Sequence, residues 1–91
     1  MDIRAHVVFR GRVQGVFFRA STKDAATKEG VSGWVKNIQN GSVEAMFEGP
    51  EENVMRVIDL CKTTFPNARV DSADVDISRS QGVFKGFDIK R

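Results

Sequence analysis

The opening residues of the chain already demand a sheet. Ile3, Ala5, Val7 and Phe9 alternate with Arg4, His6 and Arg10, and a period of two puts every second side chain on one face of a strand, leaving one face apolar and the other wet. This first strand is expected to run to about Val13. A sheet with one apolar face must be covered by a second layer, so the rest of the chain has to supply both strand neighbours and a cover. The chain has 91 residues, 41% of them apolar, which suits one core and leaves no room for two. A single domain over residues 1–91 is the expectation.

Local signals supply the other elements. After the segment Gln14 to Ala20, Ser21 with Asp24 three residues on reads as a capping box, and Ala25, Ala26 and Glu29 lead to Gly30, a natural residue just past a helix end. Trp34–Ile38 and Val43–Phe47 flank Asn40-Gly41, the strongest short hairpin signal because both residues tolerate positive φ, so strands 2 and 3 are predicted antiparallel neighbours. Pro50 opens a second helix with Glu51 and Glu52 in its first turn, and Val54, Val57, Ile58, Cys61 and Phe65 follow at helical spacing up to Pro66. Ala73, Val75 and Ile77 alternate with Asp74, Asp76 and Ser78 in a fourth strand. After a turn at Ser80–Gly82, Val83, Phe87 and Ile89 complete a last one. The order predicts an α+β fold, the ferredoxin-like β-α-β-β-α-β sandwich, with an antiparallel sheet and two helices on one face. Strands 1 and 2, joined through a helix, run parallel and end at the same edge. The Gln14–Arg19 loop and Asn37 belong at that edge.

Composition removes several chemistries. Cys61 and His6 are the only residues of their kinds, so neither an internal disulfide nor a clustered nitrogen and sulfur metal site can form, and no metal or cofactor is expected. No apolar stretch approaches the roughly 20 residues of a membrane helix. Met1-Asp2-Ile3-Arg4 lacks a signal-peptide run. A cytoplasmic protein with no membrane partner is expected. The net charge of +2 suits a small anion as well as a nucleic acid.

The segment Gly11-Arg12-Val13-Gln14-Gly15-Val16-Phe17-Phe18-Arg19 brings a glycine-bearing loop to a helix N-terminus and ends on an arginine. Gly15 permits a sharp turn, successive N–H groups can converge on an anion, and the helix end adds its positive dipole. Arg19 brings a planar fork able to hold two phosphate oxygens. A phosphoryl-sized dianion fits Gln14, Gly15, Val16, Phe17, Phe18 and Arg19. The Gly-Lys-Ser/Thr ending of a nucleotide loop is missing after Gly15.

Gly11 to Arg19 resembles the acylphosphatase signature, and Gly33-Trp34-Val35-Lys36-Asn37 followed by Gly41-Ser42-Val43-Glu44 resembles the second motif of that family. The likeness extends over essentially the whole chain to Gly86-Phe87-Asp88-Ile89. The resemblance implies hydrolysis of acyl phosphates to a carboxylate and inorganic phosphate, without metal or covalent intermediate. It further implies that Arg19 and the main-chain N–H groups of loop 14–19 hold the phosphate and that Asn37 positions the attacking water. Inorganic phosphate is then both product and competitive inhibitor, and the protein a monomer. The family commonly has an aromatic two residues beyond the arginine, where this chain has Ser21.

Other residues are assigned to structure. His6 lies on the polar side of strand 1, away from the loop. Cys61 falls on the apolar stripe of helix 2; Phe17, Phe18 and Trp34 read as core, although the two phenylalanines also suit an acyl group. Glu44, Glu48, Asp74 and Asp76 read as the wet face. Two alternatives share the fold: an RNA-binding module, disfavoured by outward Glu44 and Glu48 where base-stacking aromatics belong, and a non-catalytic anion-binding regulatory domain.

Overall fold

The computed structural model describes residues 1–90. The elements follow in the order β1 (Asp2–Arg12), α1 (Phe18–Lys28), β2 (Ser32–Asn37), β3 (Val43–Pro50), α2 (Glu51–Thr63), β4 (Arg69–Arg79) and β5 (Phe87–Ile89). The five strands form one sheet in the spatial order β4-β1-β3-β2-β5. β3 is antiparallel to both β1 and β2, so β1 and β2 run the same way and finish at one edge. The sheet is mixed where an antiparallel one was expected, because β5 pairs parallel to β2 with Gly33 opposite Phe87 and Val35 opposite Ile89.

The alternation in β1 has the predicted consequence. Ile3, Ala5, Val7 and Phe9 are buried together with Val35, Val43, Ala45, Phe47 and Phe87 from the neighbouring strands. α2 presses Val54, Val57, Ile58 and Cys61 onto this surface, and α1 contributes Phe18, Thr22 and Ala26. Phe18 is the keystone beside the loop: its ring centroid lies 5.2 Å from those of both Phe9 and Phe65. Tilted and edge-on aromatic pairs of this kind add about 1 kcal/mol each beyond their buried area. The start of α1 is thereby nailed to the core.

α1 begins at Phe18, three residues before the Ser21 start read from the capping pattern, and Phe17 occupies the N-cap at φ 60° with no side-chain cap bond. Its other end matches expectation. The N–H of Gly30 bonds the carbonyl of Thr27 at 3.2 Å and that of Val31 bonds Ala26 at 2.9 Å, the paired bonds of a Schellman stop with Gly30 at φ 70°. The β2–β3 connection is a five-residue loop in place of a two-residue turn. Gly41 alone takes positive φ there, while the Asn40 side-chain oxygen accepts from the Ser42 N–H at 3.0 Å.

Three other assignments change. Val75 and Ile77 are 41% and 48% exposed, since β4 is an edge strand of the sheet with a neighbour on one side only. Trp34 is only half-buried, on the sheet face opposite the helices, with the Lys36 and Lys90 ammonium groups 5.5 and 4.8 Å from its ring centroid. Glu48 is 4% exposed, holding the Arg4 Nε–H at 3.1 Å and the Gln81 N–H at 2.8 Å. Burial opposes its ionisation, but those donors outweigh the penalty and keep its carboxyl below the ordinary range. Glu44 is held low by the hydrogen bond from His6, 2.6 Å away across β1 and β3.

Candidate active site

β1 delivers the chain to the loop, and the core-bound Phe18 receives it. Between these fixed points the backbone reverses sign at successive residues: Gly15 has φ 72°, Val16 is negative, and Phe17 has φ 60°. Such alternation in the sign of φ can turn consecutive N–H groups to one side, as an anion nest requires. A side chain at position 15 would meet no atom within 4 Å, so glycine there serves the backbone angle and open access above the loop. The unsatisfied N–H groups of the first turn of α1 follow directly, with their share of the helix dipole.

Gln14 belongs to this loop differently from its neighbours. Its Nε2 donates to the carbonyls of Ile38 at 2.8 Å and Ser42 at 2.9 Å, so both amide hydrogens are committed to the β2–β3 loop and none is free for a ligand. The side chain is a tie between the two segments that the first and second sequence motifs occupy.

The result is a cleft of about 340 Å³ whose walls include Gly15, Phe17, Phe18, Arg19 and Asn37. Arg19 and Asn37, 18 positions apart, thus share one cavity, as the common edge of β1 and β2 requires. Of the residues expected at the phosphate, Gln14 and Val16 do not line it; Val16 packs partly against the core. Arg19 is half-buried and among the described residues makes one long hydrogen bond, Nη1 to the Lys90 carbonyl at 3.5 Å. The Asn37 side-chain oxygen is buried with no hydrogen-bond partner among the described residues. Its carboxamide is not spent on the fold.

Val13, Ala20 and Ile89 complete the cleft and were not expected there. Ile89 arrives because the Lys90 N–H bonds the Val35 carbonyl at 2.8 Å and carries the β5 ladder on beside β2. No local pattern signals that pairing. Phe17 is 84% exposed, contrary to its reading as core; only Phe18 of the pair goes inward.

His6 and Cys61 stand outside. Cys61 is 1% exposed, and burial pushes its thiol up to about 12, which leaves no thiolate for nucleophilic work. Among the described residues no group of three or more His, Cys, Asp or Glu is placed to hold a metal, and no helix is long and apolar enough to cross a membrane.

The acylphosphatase family model matches residues 5–89. The chain belongs to the acylphosphatase family. It is 49% identical over 89 residues to an acylphosphatase of Natronomonas pharaonis, covering 98% of this chain and 96% of that one. A Haloquadratum walsbyi acylphosphatase is 51% identical over 88 residues, at 97% and 94% coverage. Among solved structures, the acylphosphatase from Bacillus subtilis superposes with a TM-score of 0.93 at 35% identity, covering 98% of this chain and 99% of that one. Membership covers both segments that build the cleft.

Proposed function

We propose that this protein hydrolyses acyl phosphates to a carboxylate and inorganic phosphate, as a monomeric, single-domain, cytoplasmic enzyme. The observation that carries the reading is the meeting of a sign-alternating amide loop, the Arg19 guanidinium and the uncommitted Asn37 carboxamide on one cleft. In phosphoryl transfer the charge sits on three equatorial oxygens, so catalysis rests on positioning and on donors already in place. The amides of residues 15–19 and the Arg19 fork hold those oxygens.

The Asn37 carboxamide, on the wall of the cleft, orients the attacking water so that its lone pair is aimed at phosphorus. A new P–O bond forms from the water while the bond from phosphorus to the acyl oxygen breaks. The electron pair leaves on the carboxylate, a leaving group stable enough to need no proton. Both water protons end on the phosphate, which serves as its own base. No histidine or thiolate is required in this scheme, in keeping with the distance of His6 and Cys61 from the cleft.

The test is hydrolysis of benzoyl phosphate in the presence of a chelator. Arg19→Ala is expected to lower phosphate affinity and turnover, and Asn37→Ala chiefly turnover, each by roughly 10²-fold as for loss of one preorganised donor. Arg19→Lys is expected to be poor as well, because an ammonium cannot reproduce the fork. Near-wild-type rates in Arg19→Ala and Asn37→Ala would overturn these roles.

A further inference from the structure

The two faces of β5 serve different places. Phe87 is buried in the core and Ile89 lines the catalytic cleft, so strand alternation turns Asp88 and Lys90 to the opposite face of the sheet. There Asp88 stands in register with Trp34, and the Lys90 ammonium lies 4.8 Å from the Trp34 ring centroid. Phosphoryl transfer at the loop uses nothing on this face.

The segment between β4 and β5 closes a second hollow beside that tryptophan. Its volume is about 370 Å³, with Trp34, Val83, Phe84, Lys85, Asp88 and Lys90 among its walls, a size within the range of small-molecule sites. The walls are pinned at several points. The Gly33 N–H donates to the Gly86 carbonyl at 3.0 Å and the Lys90 N–H to the Val35 carbonyl at 2.8 Å, one bond on each side of Trp34. The Arg4 guanidinium lies 4.9 Å from the Phe84 ring centroid, and the Gln81 N–H is held by the Glu48 carboxylate at 2.8 Å.

The side chains of this hollow do not suit a simple ligand. Lys85, Lys90 and Asp88 make no ion pair among the described residues, whereas Lys36, the other ammonium near Trp34, is shared with Glu44 at 3.6 Å. A bare anion has no use for the Asp88 carboxylate, and an apolar molecule has none for the lysines. A ribonucleotide uses all of them: its base stacks on the indole face, a ribose hydroxyl donates to the carboxylate, and its phosphates meet the two unpaired ammonium groups. Stacking of a base gains more than an exposed ammonium gives up by leaving the ring, and the displaced Lys90 ammonium is then available to phosphate.

We infer that this hollow is a second ligand site and that it binds a free ribonucleotide on the sheet face away from the catalytic cleft. One nucleotide, not a strand, matches the surface. RNA-binding sheets of this topology present aromatics on their middle strands, and the outward positions of β1 and β3 hold Arg4, His6, Val8 and Arg10 and then Glu44, Met46 and Glu48. The site is independent of the reaction in the cleft and stands whatever that cleft hydrolyses.

The experiment titrates the protein with ADP and follows intrinsic fluorescence, which comes from Trp34 because the chain has no other tryptophan and no tyrosine. Saturable quenching is expected, unchanged in Arg19→Ala. The midpoint should rise roughly tenfold or more in Lys85→Ala/Lys90→Ala, and adenosine should need a similarly higher concentration than ADP, as for loss of charge-assisted hydrogen bonds. Asp88→Ala should also weaken ADP, because the ribose loses its acceptor. No saturable quenching by millimolar ADP overturns the site. Quenching lost in Arg19→Ala would place the nucleotide in the catalytic cleft and overturn it equally. Tighter ADP binding in Asp88→Ala overturns the nucleotide assignment, since a carboxylate that faces only phosphate repels it. A short oligoadenylate that quenches at roughly 10²-fold lower concentration than ADP overturns it in favour of an RNA strand.

Discussion

Removing the Gln14 tie tests whether the two halves of the cleft are held in register by one side chain. Gln14→Ala deletes the bonds to the Ile38 and Ser42 carbonyls at 2.8 and 2.9 Å. Neither carbonyl is orphaned, since Ile38 still accepts from the Gly41 N–H at 3.1 Å and Ser42 from the Ile38 N–H at 2.9 Å. The cost is therefore the net worth of two neutral hydrogen bonds, about 2 kcal/mol together, without the added penalty of an unpaired buried group. In a domain of this length that lowers Tm by about 10 °C. Activity should fall further than stability alone accounts for, because the loop and the strand end that carries Asn37 lose their fixed spacing, and a misplacement near 1 Å costs up to roughly 10²-fold. Gln14→Glu sharpens the test: the shape is kept, but a carboxylate faces two carbonyl oxygens, so it is expected to be worse than alanine by both measures. The assays are thermal unfolding followed by circular dichroism and benzoyl phosphate kinetics at 25 °C, where the variants remain folded. A Gln14→Glu protein that melts and turns over like the wild type refutes the argument. Lost stability with undiminished kcat/KM would reduce Gln14 to a structural bond.

Glu48→Gln is expected to destabilise the fold by about 3 kcal/mol at pH 7, since a buried charge that accepts from Arg4 and Gln81 is replaced by a neutral amide. The folded-state pKa lies below the ordinary value of 4.5, so the stabilisation is fully present above that value and is lost as pH falls through the lowered one; urea unfolding at pH 7 and pH 3.5 should show the gap between wild type and variant narrowing in acid, and a constant gap would contradict this. Cys61, buried with its thiol pushed up to about 12, should react with an aromatic disulfide reagent at pH 8 only as fast as the protein opens, and adding urea should accelerate it steeply; rapid labelling of the native protein would disprove the burial argument.

Local chemistry made much of the fold readable. The alternation in β1 located the buried face, Pro50-Glu51-Glu52 marked the start of α2, and Gly30 marked the stop of α1. What could not be read depended on contacts between distant segments or on a broken local rule. The parallel pairing of β5 with β2 is set by partners more than 50 positions apart, so neither the mixed sheet nor the place of Ile89 in the cleft had a local signature. Phe17 at positive φ defeats ordinary turn chemistry, which calls for Gly or Asn at such an angle, and it shifted the start of α1 away from Ser21. Glu48 looked like a surface carboxylate because its partners, Arg4 and the Gln81 N–H, lie 44 and 33 positions away. The site was legible to the extent that it hung on topology: a loop after one strand and a residue at the end of its parallel neighbour must meet, and Arg19 and Asn37 do line one cleft. The division of labour inside the loop was not, because only coordinates reveal that Gln14 looks toward the hairpin.

The central claim is that loop 15–19 and Arg19 surround a phosphoryl group, and titration of the 15N-labelled protein with inorganic phosphate addresses it most directly. The account predicts that amide resonances of Gly15 to Arg19 shift in a saturable way together with the Asn37 side chain, and that the same titration is weakened by roughly 10²-fold in Arg19→Ala. Shifts that gather instead around Trp34, Lys36 and Lys90 on the opposite sheet face, with the loop unmoved, would contradict it.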